Sequence, residues 1–226
     1  MRKTKGTLRY SPLSTMKSER ADRLSLSFIV KDLKMPKRAL IIIDIQNDYF
    51  PDGRWALSGM EAAAENAARL LAAARAAGDL VIHVRHEFPT ADAPFFAPGS
   101  VGAQIHSTVR NLEGEHVVLK HSINSFRDTD LKEVLDRNGI QEVVICGAMS
   151  HMCVDAATRA ANDFGYNCIV VHDACASRDL EFNGVKIPAA QVHAAFMAAL
   201  HFGYATSVTT EELLEGKSGK PDSSQP

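Results

Sequence analysis

Three side chains of different chemistry close three apolar runs of this sequence. Asp44 ends ALIII, Lys120 ends HVVL, and Cys153 follows EVVICGA after a short stretch of small and flexible residues. Two further runs end on polar groups: LVIHVR on His86, and NCIVV on His172 and Asp173. A carboxylate, an ammonium and a thiol brought together can perform nucleophilic catalysis. Each residue also has a plainer reading: Asp44 as a turn cap, Lys120 as a solvated strand end, Cys153 as a small packing residue. The fold decides between them, by delivering the three groups to one rim or scattering them.

The elements favour one rim. ALIIIDI is a β-branched run of the kind that forms a strand buried on both faces. EAAAENAARLLAAARAAG reads as an Ala-rich helix closed by Gly78. LVIHVRH is a second strand, and PTADAPFFAPGSVG is a long loop of the size that usually carries function. HVVLK, the capped helix DTDLKEVLDRNG, EVVICGA, a helix beginning near Cys153, NCIVVHDA, PAAQVHAAFMAALHFG and ATSVTT complete the series. Strands alternating with helices predict an α/β domain with six parallel strands covered on both faces and right-handed crossovers. Ligands of such sheets bind beyond the carboxyl ends of the strands, where Asp44, Lys120 and Cys153 fall. The helix after Cys153 is expected to turn backbone N–H groups and positive dipole toward the sulfur. With a nearby lysine, this favours thiolate.

Other classes are set aside by what the chain lacks. A formal net charge of −2 gives no basic excess for nucleic acid. The longest apolar runs are too short to span a bilayer. DIQNDYFPDG, after the first strand, has no Gly-rich turn for a dinucleotide, and no cofactor is expected. Cys146, Cys153, Cys168 and Cys175 show no C-x-x-C spacing, which fits a reduced, cytoplasmic setting. Residues 1–35 form a basic, serine-containing leader without periodicity apart from LSLSFIV. It is expected to be a disordered extension, with a transit peptide as the alternative and Met35 as a natural start. Residues 36–215 are expected to form one domain and 216–226 a disordered tail.

The blocks ALIIIDIQNDYF, VVLKHSINSFRDTDL and VVICGAMSHMCVDAATRAANDFGYNCIVVHDACAS resemble the three signature blocks of the isochorismatase-like cysteine hydrolase superfamily. That group includes nicotinamidases, N-carbamoylsarcosine amidohydrolase and ureidoacrylate amidohydrolases. The resemblance implies a Rossmann-like three-layer α/β/α sandwich with strand order 3-2-1-4-5-6, and a homodimer or homotetramer. It implies Cys153 as nucleophile, Asp44 as general acid/base and Lys120 as the family's lysine. The oxyanion would be held by the backbone N–H groups of Met149 and Cys153, with a cis bond between Ala148 and Met149. The activity implied is cleavage of a C–N bond, amide or ureido, in a small molecule through a thioester on Cys153. The alternatives are a non-catalytic interaction protein on the same scaffold, or isochorismatase-type hydrolysis of a non-amide substrate.

Nicotinamidases bind metal through a D-x-H pattern that VRHEFPTADAP lacks, so no metal is expected, and His86, Glu87 and His106 are read as solvated or packed. Pocket walls are expected from Gln46, Phe50, Trp55, Asn124, Phe126, His151 and Met152. Phe95 and Phe96 serve either the pocket or subunit packing. Cys146, Cys168 and Cys175 are read as inert packing thiols.

Overall fold

Strand β1 (Arg38–Ile43) is buried along nearly its whole length. Side chains alternate across a strand, so an unbroken apolar run needs cover on both faces. Leu40 and Ile42 join one hydrophobic core, which includes Met60, Ala63, Ala67 and Leu70 of α1 (Met60–Ala77). Ala39, Ile41 and Ile43 join a second core. There they share cover with Leu131 of α2 (Leu131–Arg137), Ala157 of α3 (Asp155–Asp163) and Leu200 of α4 (Ala189–Gly203). Two cores separated by one sheet make the expected three-layer sandwich. The computed structural model describes residues 37–216, so the expectations for the leader 1–35 and for the tail beyond Gly216 lie outside the described residues.

The remaining strands of this sheet are β2 (Leu80–His86), β3 (His116–Lys120), β4 (Glu142–Ala148), β5 (Asn167–Ala176) and β8 (Thr206–Val208). They lie in the order β3-β2-β1-β4-β5-β8 and every neighbouring pair is parallel. This is the arrangement read as 3-2-1-4-5-6. The sixth strand is eighth along the chain because a small antiparallel hairpin, β6 (Leu180–Phe182) with β7 (Val185–Ile187), intervenes. Asn183 and Gly184 turn it, both at positive φ, as Asn-Gly does in two-residue hairpins. A short helix, α5 (Thr210–Leu214), follows β8 behind a capping box from Thr209 and Glu212.

The chain progresses outward in opposite directions from the centre of the sheet, through β2 and β3 on one side and β4 and β5 on the other. Such a reversal opens a crevice at the carboxyl ends of the central strands. Gly147 lets the walls of that crevice approach. A Cβ there would sit 2.0 Å from the carbonyl oxygen of Ile43, and its φ is 124°. Only glycine meets both conditions. Among the described residues no helix is long and apolar enough to cross a membrane.

Candidate active site

Each chemically interesting residue sits where a strand stops. Asp44 is the first residue past β1, at φ 50°, a left-handed conformation that Asp tolerates better than most residues. Its backbone N–H donates to Val84 O at 2.9 Å. His86 ends β2, Lys120 ends β3, and the ladder pairs them directly. Cys153 lies in a π-helical turn, Ser150–Val154, between β4 and α3. The expected helix therefore starts two residues later, at Asp155, and the sulfur belongs to a wider turn of a kind frequent at functional sites. The peptide bond between Ala148 and Met149 is cis.

Lys120 is the hub. Its Nζ lies 2.8 Å from Asp44 Oδ2, 3.2 Å from Cys153 Sγ and 3.2 Å from Nδ1 of His86. Neither Asp44 nor Lys120 reaches solvent. Asp44 and Lys120 form a close, fully buried ion pair, and beyond the Lys120 ammonium and the Cys153 thiol no group bonds the Asp44 oxygens. A buried carboxylate with so few partners is costly.

Burial, and after it the Asp44 charge, push the Cys153 thiol well above its usual pKa, and Lys120 opposes this without overcoming it. Lys120 favours thiolate as expected, but burial and Asp44 outweigh it. In this dry setting the resting sulfur keeps its proton. Burial would lower the Lys120 ammonium, but Asp44 and then Cys153 hold it above the ordinary lysine value. Burial, followed by the Lys120 charge, depresses His86 to about 4. Its ring is neutral near pH 7.

A cavity of about 670 Å³ opens over the sulfur, lined by Cys153, His86, Tyr49, Phe88, Phe95, Asn124, Arg127, Met149 and Met152 among others. Of the expected wall residues, Asn124, Phe95 and Met152 line it. Gln46 does not: its amide donates to the carbonyls of His86 and Ala103 and accepts from the His86 N–H, which pins β2 to the loops. Phe50 stacks on His106 with ring centroids 3.5 Å apart. Trp55 stacks on Phe95 beneath the guanidinium of Arg178. Phe126 packs edge-on to Phe164, and His151 bonds Ser177. These five are corrected from lining to supporting positions.

Tyr49, His86, Phe88 and Arg127 were not on the expected wall. Phe88 and Arg127 follow the carboxyl ends of β2 and β3, so the strand-end rule carried that signal. His86, Glu87 and His106 do not gather. Glu87 pairs with Arg85 and accepts from Gly99 N–H, and His106 Nδ1 accepts from Thr108 N–H. Cys146, Cys168 and Cys175 are buried and unpaired, and burial raises Cys168 and Cys175 to about 12.

Residues 38–210 match the Isochorismatase domain. The chain is 51% identical over 177 residues to the isochorismatase family protein YddQ of Bacillus subtilis, covering 78% of this chain and 98% of that one. It is 30% identical over 159 residues to maleamate amidohydrolase of Pseudomonas putida, covering 63% and 73%. A crystal structure described as an isochorismatase hydrolase from Oleispira antarctica superposes with a TM-score of 0.78 at 60% identity, over 80% of this chain and 98% of that one. With the fold, the strand-end site and these likenesses together, the chain belongs to the isochorismatase family of hydrolases.

Proposed function

We propose that this protein hydrolyses a C–N bond of a small amide or ureido compound through a thioester on Cys153. The observation that carries the reading is the convergence of Asp44 and Cys153 on the buried ammonium of Lys120, beside a cavity that Cys153 lines. Asp44 takes the proton from Sγ, and the sulfur electron pair attacks the carbonyl carbon. Backbone N–H groups of Met149 and Cys153 receive the developing oxyanion. On collapse the C–N bond breaks and the departing nitrogen takes the proton held by Asp44. Asp44 then removes a proton from water, the resulting hydroxyl attacks the thioester, and the thiol re-forms.

The similarity to a maleamate amidohydrolase supports the bond class. The aromatic wall of Tyr49, Phe88 and Phe95 suits a planar, largely apolar substrate. Four free cysteines suit a reducing compartment such as the cytoplasm. The test is an ammonia-release screen over diverse amides, with intact-mass trapping of an acyl adduct. Adducts on Cys146, Cys168 or Cys175, or undiminished hydrolysis by Cys153→Ala, would remove the basis for the proposal. Labelling of Cys153 without turnover of any amide or ureide would favour a non-catalytic role.

A further inference from the structure

An ammonium has three protons, and Lys120 Nζ lies within 3.2 Å of three groups: an ion-paired carboxylate oxygen, a sulfur and an imidazole nitrogen. Two belong to the groups already assigned chemistry, and the third is His86 Nδ1, 3.2 Å from Nζ. A lysine ammonium can only donate, so Nδ1 must offer its lone pair. In a neutral imidazole this fixes the tautomer, and the proton resides on Nε2. The ring itself is held from behind. Gln46 bonds both backbone groups of His86, and Phe88 meets the ring edge-on at 4.7 Å.

Nε2 then stands out. His86 is only 7% exposed, yet Nε2 is buried with no hydrogen-bond partner. The Ser122 backbone is an acceptor for the ring and favours its protonation, but Nε2 makes no well-directed hydrogen bond to it. The same ring lines the cavity beside Cys153. A buried donor without an acceptor is expensive, and one on a pocket wall points to a ligand atom that supplies the acceptor.

We propose that His86 is a two-sided recognition residue, whose Nδ1 orients the Lys120 ammonium and whose Nε2–H donates to an acceptor atom of the bound substrate. This rests on the reading of Cys153 as nucleophile. It narrows the substrate class to compounds that pair an apolar, planar body with a hydrogen-bond acceptor, such as a carbonyl or ring nitrogen, beside the scissile bond. Charged ammonium groups at that position are disfavoured, because the wall there presents donors.

Two probes separate the two sides of the ring. Iodoacetamide alkylates Cys153 and carries a carbonyl acceptor; iodoethane alkylates it and carries none. His86→Asn keeps an acceptor for Lys120 and shortens the donor side. It should slow alkylation by iodoacetamide ~10-fold while leaving iodoethane within about 2-fold of wild type, as expected for one lost hydrogen bond. His86→Gln can place an N–H near the position of Nε2 but removes the Nδ1 acceptor. It should slow both reagents by a similar factor of roughly 3 to 10. Melting temperatures confirm that the variants are folded. Wild-type rates with both reagents in two folded variants would overturn the assignment alone. No alkylation of Cys153 in wild type would overturn the nucleophile reading beneath it.

Discussion

Asp44 Oδ2 and Lys120 Nζ lie 2.8 Å apart, and neither side chain reaches solvent. Removing one partner of a buried pair strands the other's charge, at a cost of about 3–5 kcal/mol, whereas replacing both can be nearly neutral. Lys120→Met should therefore lose about that much stability in urea at neutral pH. Asp44→Asn/Lys120→Met should recover most of the loss, yet stay inactive. A double variant no more stable than Lys120→Met would show that packing, not charge, holds the site.

The three groups should fail as a unit. On the proposed mechanism, Cys153→Ala and Asp44→Asn should each remove acylation, so the double variant should be little slower than either single one. Independent, multiplying losses in kcat/KM would indicate that the two residues serve different steps.

The charges around the sulfur set opposite signs for two variants. Burial raises Cys153 most, Asp44 adds to the rise and Lys120 counters it. Asp44→Asn should thus lower the pH at which iodoacetamide labels Cys153, even while it abolishes turnover. Lys120→Met should raise that pH. Shifts in the same direction for both would contradict the assigned charges.

Away from the site, Glu115 accepts from Arg75 at 2.7 and 2.8 Å and from His83 at 3.1 Å, tying α1 and β2 to the segment before β3. The Arg75 bond chiefly depresses Glu115 to about 2, from an ordinary value of 4.5. A depressed carboxylate contributes stability above its unfolded pKa and loses it as pH falls through the folded one. The contribution should fade between about pH 4.5 and about pH 2. Glu115→Gln should destabilise by about 1–3 kcal/mol at pH 7 and show a flatter acid-unfolding profile over that window. An unchanged profile would mean that the cluster is energetically idle.

Helix α4 exposes a stripe of apolar residues four apart, Ala190, Ala194, Ala198 and Phe202, the last 88% exposed. A second copy of the chain is the expected cover. Light scattering should give a mass of at least two chains, and Phe202→Asp should shift it toward one. A monomeric wild type would refute this.

Much of the site was legible because a parallel sheet obeys a simple rule: its strands end on one rim. That rule found Asp44, Lys120 and Cys153 from three apolar runs. It also pointed to His86, whose dual role stayed hidden because tautomer and hydrogen-bond vacancy are not sequence properties. Gln46, Phe50, Trp55, Phe126 and His151 depart from the expected wall for a different reason. Closeness along the chain to a reactive residue does not say which way a loop side chain turns. The β6–β7 hairpin lies outside the six-strand expectation, although its Asn183-Gly184 turn is a hairpin signal in the sequence.

In the proposed mechanism, the proton that passes from Cys153 to Asp44 would leave Lys120 as it was. The buried set changes from carboxylate, ammonium and thiol to carboxylic acid, ammonium and thiolate, with a neutral His86 beside it throughout. Its net charge is zero in both states, so activation reorients a dipole instead of creating an ion. No counterion has to be drawn in from bulk water. The acylation rate of an uncharged substrate should accordingly be nearly independent of ionic strength, since mobile ions respond to charge they can reach.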